Sequence, residues 1–126
     1  MSHKIFLSKD GKYIVCEVTG LITLEVLYEF ASELNSFSRA TGVKRLLHDV
    51  RDSINVMNIS QNYQYAYDDM EALNLQRDVR SVILVDPADK SHDFMETVAL
   101  NAGYNVRIFH DEAAAISWLN EETDYK

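Results

Sequence analysis

Ile14, Cys16 and Val18 alternate with Glu17 and Thr19, the period-two pattern of a half-buried strand. Asp10-Gly11 separates this strand, predicted over residues 12–19, from an earlier one over 4–8. Asp-Gly between two apolar runs predicts a hairpin. Gly20 is expected to end the strand, Thr23 to cap a helix running to about residue 41, and Gly42 to stop it. A strand over 44–50 follows, then a loop over 51–58. Ile59, Tyr63, Ala66, Tyr67, Met70 and Leu73 recur at helical spacing. Residues 81–85 are apolar on both faces after Ser81, as befits a covered strand in mid-sheet. Pro87 has no amide proton to continue a ladder, so a loop is expected there, with Ser91 capping a helix that stops at Gly103. The last strand is predicted over 105–109 and the last helix from the cap Asp111 to about residue 119, with residues 121–126 frayed.

Strands alternating with helices through short connections make an α/β fold: an N-terminal β-hairpin leading into a mainly parallel sheet of about five strands with about four helices. At 126 residues the chain is expected to be a single domain, 1–126. It carries 12 Lys and Arg against 20 Asp and Glu, a formal net charge of -8. A surface this acidic repels phosphate backbones and anionic headgroups, so no nucleic-acid partner is expected. No apolar run approaches the roughly 20 residues of a spanning helix, and the N-terminus lacks the pattern of a secretory leader. A cytoplasmic location without an integral membrane segment follows as the expectation. The one cysteine, Cys16, lies in a strand pattern with no flanking cation and reads as a small buried hydrophobe.

The chemistry-bearing residues gather where strands end. Lys44-Arg-Leu-Leu-His-Asp-Val-Arg51 is a strand running into charge, and the carboxyl ends of strands are where open α/β sheets bind ligands. His48, Asp86, His92 and His110 all fall on that rim and are candidate ligand residues. His48-Asp49, His92-Asp93 and His110-Asp111 offer imidazole beside carboxylate. Neighbours on a strand point to opposite faces, however, and acids at helix starts serve as caps, so no metal and no cofactor is expected. Asp49 and Arg51 share a strand face and are expected to pair and order the following loop, with recognition of a partner as the other reading. No nucleophile-base set or glycine-rich phosphate loop is present in the sequence, which disfavours an enzyme.

The helices supply the remaining candidates. Leu24, Leu27, Tyr28, Ala31 and Leu34 form one stripe of the first helix, and Val26, Phe30 and Phe37 widen it to roughly half the circumference. Either this helix is wedged between neighbours or the flank at Val26, Phe30 and Phe37 meets another protein. In the second helix Tyr63 and Tyr67 fall on the expected core stripe, leaving Tyr65 to anchor a contact.

Gly20 before the first helix, Leu47 with Asp49-Val50-Arg51, and the closing run Asn101-Ala102-Gly103, 106–109 and 115–119 with Trp118-Leu119 resemble the SpoIIAA-like group of the STAS superfamily. The resemblance covers nearly the whole chain and implies a small superhelix of βα turns that regulates by docking onto a protein partner, with no catalytic centre. It also implies a phosphorylated serine at the start of the helix after the third strand. Here the group's Asp-Ser-Ser-Gly is replaced by Asn58-Ile59-Ser60-Gln61, which makes Ser60 the nearest candidate and Ser53 the next. The expected function is therefore a non-catalytic regulatory or protein-interaction module, self-associating as a homodimer or bound to a regulatory partner. Its surface would comprise the first-helix flank and residues 51–65. The alternative is a small-molecule or lipid carrier or sensor, using the strand-end rim or a tyrosine-lined pocket between the second helix and the sheet.

Overall fold

Strands β1 (Ser2–Leu7) and β2 (Ile14–Ile22) pair antiparallel around the Asp10-Gly11 turn. The Asp10 carboxylate holds that turn, accepting from Ser8 Oγ at 2.7 Å and from the Lys12 amide at 3.0 Å. The computed structural model describes residues 2–121. Helix α1 (Leu24–Thr41) begins where Thr23 Oγ1 accepts from the Val26 amide, and it ends at Gly42, whose φ of 78° suits a residue without a Cβ.

Strands β3 (Arg45–Asn55), β4 (Arg80–Leu84) and β5 (Asn105–Phe109) then add in parallel, and the sheet order is the chain order, β1-β2-β3-β4-β5. Between β3 and β4 one continuous helical run comprises α2 (Ile59–Gln64), a π turn (Tyr65–Asp69) and α3 (Met70–Ala72). Helix α4 (Asp93–Asn101) joins β4 to β5, and α5 (Glu112–Leu119) follows under the Asp111 cap.

The sheet is covered unequally. On one face α1, the second helical run and α4 bury Ile14, Cys16, Val18, Leu34 and Val50 together with Ala66, Met70, Met95 and Val98. On the other, α5 alone sets Ala115 and Leu119 against Leu47, Val82 and Leu84, with Trp118 half-buried under the Arg80 guanidinium.

Three local expectations need correcting. Gly20 does not end β2: at φ 95° it stays in the ladder, and β2 runs two residues further. β3 likewise extends to Asn55, so the expected loop shrinks to residues 56–58. The pairing steps from Glu17↔Asp49 to Thr19↔Asp52, a bulge that lets the polar stretch Asp52-Ser53 stay paired. Ser91 does not cap α4 through its side chain; its hydroxyl instead accepts from the Asn55 amide at 3.0 Å, tying the tip of β3 to the start of α4.

Candidate functional site

Phe30 and Tyr65 lie in the core, contrary to the surface roles expected of them. Phe30 is 3% exposed. It packs with Ile14, Val18 and Leu34, while Val26 and Phe37 lean against the same cluster half-buried. The wide stripe of α1 is explained by wedging, because Phe30 and Leu34 meet the first core cluster while Ala31 meets the second.

Tyr65 is 5% exposed, whereas Tyr63 and Tyr67 are on the surface, stacked with ring centroids 5.8 Å apart. The buried face of this helical run is Asn62, Tyr65, Ala66 and Met70. Asn62 makes that face hard to see in sequence, and the extra residue in the π turn shifts Met70 onto it. Asn62 earns its place by hydrogen bonding: its amide donates to the Asn58 carbonyl at 2.9 Å and its side-chain oxygen accepts from Asn55 Nδ2 at 3.2 Å.

The strand-end rim divides rather than converges. His48 and Asp49 point to opposite faces. Asp49 accepts from Arg51 on the α5 side, and Arg51 also meets Glu112 Oε1 at 3.3 Å. The bidentate Arg51 contact holds the Asp49 carboxyl below its ordinary range. Asp86 is exposed and accepts from the Ala88 amide in its turn, and His110 is exposed at the head of α5.

His92 is buried beneath the β3 tip, where its Nε2 lies 3.4 Å from the Ser53 carbonyl and 3.4 Å from Asp89 Oδ2. Burial lowers its pKa, against the pull of Ser53 and Asp89. Ser53 is itself buried, with its hydroxyl donating to the Val50 carbonyl. Ser60 is exposed in the first turn of α2, behind a capping box of Asn58 and Gln61. Among the described residues, no three His, Cys, Asp or Glu side chains gather as metal ligands would. Burial pushes the Cys16 thiol up to about 12, leaving it protonated and inert.

His48 faces inward to a cavity of about 130 Å³ between the sheet and the helices that cover it. Apolar side chains of α1, α3, α4 and β3 to β5 form most of its wall, and Tyr65, Tyr104, His48 and His92 supply polar atoms. Burial alone lowers the His48 pKa to about 4, so the imidazole is neutral at pH 7. The Tyr104 hydroxyl is buried without a hydrogen-bond partner. Tyr104 escaped notice in the sequence because it follows Gly103 at a helix end, where nothing local marks it as facing a cavity.

A second feature lies at the far end of β2 and β3. Leu21 and Ile54, opposite one another in the register, are 57% and 51% exposed, and Val56 and Ile59 just beyond are 47% and 68% exposed. Val56 is fixed to β2 by the hydrogen bond that its amide donates to the Ile22 carbonyl.

No protein-family model and no curated protein matches the chain. Solved structures do. An uncharacterised protein of the DUF3478 family with a SpoIIAA-like fold, from Shewanella loihica PV-4, is 22% identical over 94% of this chain and 92% of its own, with a TM-score of 0.59. The anti-sigma factor antagonist SpoIIAA in its unphosphorylated form is 14% identical over 96% of this chain and 100% of its own, with a TM-score of 0.55. The chain has a SpoIIAA-like fold. On that fold the exposed apolar end of β2 and β3 sits beside the start of α2, where Ser60 lies. No helix among the described residues is long and apolar enough to cross a membrane.

Proposed function

We propose that this chain is a non-catalytic interaction module that docks a protein partner through the end of β2 and β3 and the start of α2. The observation that carries this reading is the cluster of Leu21, Ile54, Val56 and Ile59, large apolar side chains left in solvent at one end of the sheet. Apolar patches of this kind mark interaction sites because their burial removes water from both partners. Their frame is stiff: the β3 tip is held by Ser91, Asn62 and the Ile22–Val56 bond. The unphosphorylated antagonist of the same fold makes a phosphorylation switch a fitting counterpart. A phosphate on Ser60 would bring up to about two negative charges next to Ile59 and disfavour an apolar partner there.

The double variant Ile54→Glu/Ile59→Glu tests this, since both side chains are exposed and neither supports the core. Tagged protein purified gently from its own cells is analysed by native mass spectrometry and sedimentation. The expected result is a stoichiometric protein complex, with a partner or a second copy, that the variant loses while keeping its melting temperature. Wild type and variant both running as bare monomers, or holding the complex equally, overturns the reading.

The cavity between the sheet and its covering helices supports a second reading, a small-molecule carrier or sensor. Its 130 Å³ leaves no room for a diacyl lipid.

A further inference from the structure

Resting on the docking reading, we propose that the partner meets this surface with a basic segment. An arginine side chain of that segment stacks on the Tyr63–Tyr67 pair with Asp68 and Asp69 as its counter-charge, and apolar side chains beside it cover Ile59.

The apolar patch at the β3 tip does not stop at Ile59. Ile59, Tyr63 and Tyr67 follow one another at intervals of four residues, the spacing that lines side chains along one side of a helix. All three are exposed. The π turn does not break the row, since the Tyr63 and Tyr67 rings stack 5.8 Å apart with 21° between their planes. Phe94 of α4 meets Tyr63 edge-on at 5.6 Å, which braces the stack against the neighbouring helix.

The two rings border a shallow groove together with Ser60, Gln64, Asp68 and Asp69. Asp68 is exposed and makes no hydrogen bond or ion pair among the described residues. Asp69 accepts from Gln64 Nε2 at 3.3 Å, an uncharged donor. Adjacent carboxylates without a cation repel each other, and a cation placed in the groove relieves that repulsion.

The charge pattern around the groove has the same sign. Residues 52–76 contain Asp52, Asp68, Asp69 and Glu71 and no Lys or Arg. The flanking arginines are engaged elsewhere, Arg51 with Asp49 and Glu112 and Arg77 over the Tyr104 ring. In the stretch 81–106, which supplies Phe94, four acids stand against the single cation Lys90. An anionic segment would be repelled here and a basic one drawn in.

The aromatic faces select among cations. A ring face attracts a cation, arginine more often than lysine, because the planar guanidinium lies flat on the ring while its N–H groups still reach carboxylate oxygens. A lysine ammonium satisfies the acids without stacking. Exposed tyrosines with a wet hydroxyl suit such a contact.

The probe is a short amphipathic helical peptide of leucine, alanine and arginine, with lysine-for-arginine and glutamate-for-arginine counterparts. Each is titrated into the full chain at physiological salt and followed by amide NMR. The arginine peptide is expected to bind saturably, with its shifts centred on Ile59, Tyr63, Tyr67 and Asp68. The lysine peptide should bind about fivefold more weakly and the glutamate peptide not at all. Tyr67→Leu should bring the arginine peptide down to the level of the lysine one, and Asp68→Asn/Asp69→Asn should weaken both. No saturable binding of the arginine peptide, shifts centred elsewhere, or equal binding of either counterpart overturns the inference.

The native complex separates this inference from the docking reading. Tyr67→Leu and Asp68→Asn/Asp69→Asn are each expected to loosen it. If Ile54→Glu/Ile59→Glu dissolves the complex while those variants leave it intact, or if the complex holds only two copies of this chain, the docking surface stands and the basic partner falls. If there is no complex, both fall.

Discussion

Arg51 holds Asp49 from two positions along the same strand, with Nε 2.9 Å from Oδ1 and Nη2 2.7 Å from Oδ2. The fork-to-carboxylate geometry is the strong form of an ion pair, but the Arg51 side chain is 42% exposed and water screens much of its worth. Through its contact with Glu112 the same guanidinium joins β3 to the first turn of α5.

Arg51→Ala is therefore expected to destabilise the protein by about 1 kcal/mol in low salt, measured by urea denaturation. In 1 M salt the difference should shrink. The carboxyl of Asp49 is held low by Arg51, so the pair contributes above the ordinary carboxylate pKa of 3.8 and is lost as pH falls through the lower folded value. A stability difference between Arg51→Ala and wild type that stays undiminished as pH falls well below 3.8 would discount the pair.

His48 gives a second pH dependence of the opposite chemical type. Its pKa falls from 6.5 to about 4 in the folded protein because the charged form loses its hydration. The unfolded chain takes up the proton first, so stability is complete above 6.5 and declines as pH drops towards 4. The loss is on the order of 3 kcal/mol. His92, also lowered by burial, adds in the same direction. Urea denaturation at pH 7, 6 and 5 should show this slope in wild type and a shallower one in His48→Leu; equal slopes would remove His48 from the account.

Tyr104→Phe is expected to be neutral or stabilising by up to about 1 kcal/mol in the ligand-free protein, since it deletes an unpaired buried hydroxyl. Arg77 lies 4.4 Å over the ring and stacks equally well on phenylalanine. A melting temperature lowered by several degrees would mean that the hydroxyl has a partner after all.

Asn62→Leu should cost about 2 kcal/mol, because the Asn58 and Met57 carbonyls and the Asn55 amide lose their partner together. Hydrogen exchange should quicken at residues 55–58 more than in β4. Uniform quickening across the sheet would show that Asn62 supports the whole fold rather than the β3 tip.

The elements that could be read from the sequence are those bounded by strong local signals. Thr23 and Gly42 delimit α1, and Asp111 starts α5, because a cap and a stop act within one turn. The outer half of β3 could not be read: Asp52, Ser53 and Asn55 are ordinary loop residues, and they are strand because the stretch of β2 from Thr19 through Gly20 to Ile22 pairs with them. The Asp49–Arg51 pair was legible because both residues sit on one short stretch of chain. The cavity residues were not, since His48, Tyr65 and Tyr104 come from a strand, a π turn and the approach to β5, and only the folded chain brings them together. The tyrosine stripe was misplaced for a related reason, with one buried polar residue, Asn62, concealing the inner face of its helix.

The sheet is ordered as the chain is written, so each strand pairs only with its neighbours in sequence. Only the β1–β2 turn closes a short loop; each parallel pairing, such as Cys16↔His48 or His48↔Ile83, spans one helical crossover and no more. During synthesis the β1–β2 ribbon presents an edge for β3, β3 presents one for β4, and β4 one for β5. Each strand leaving the ribosome meets a template already built, and none has to wait for a segment not yet made.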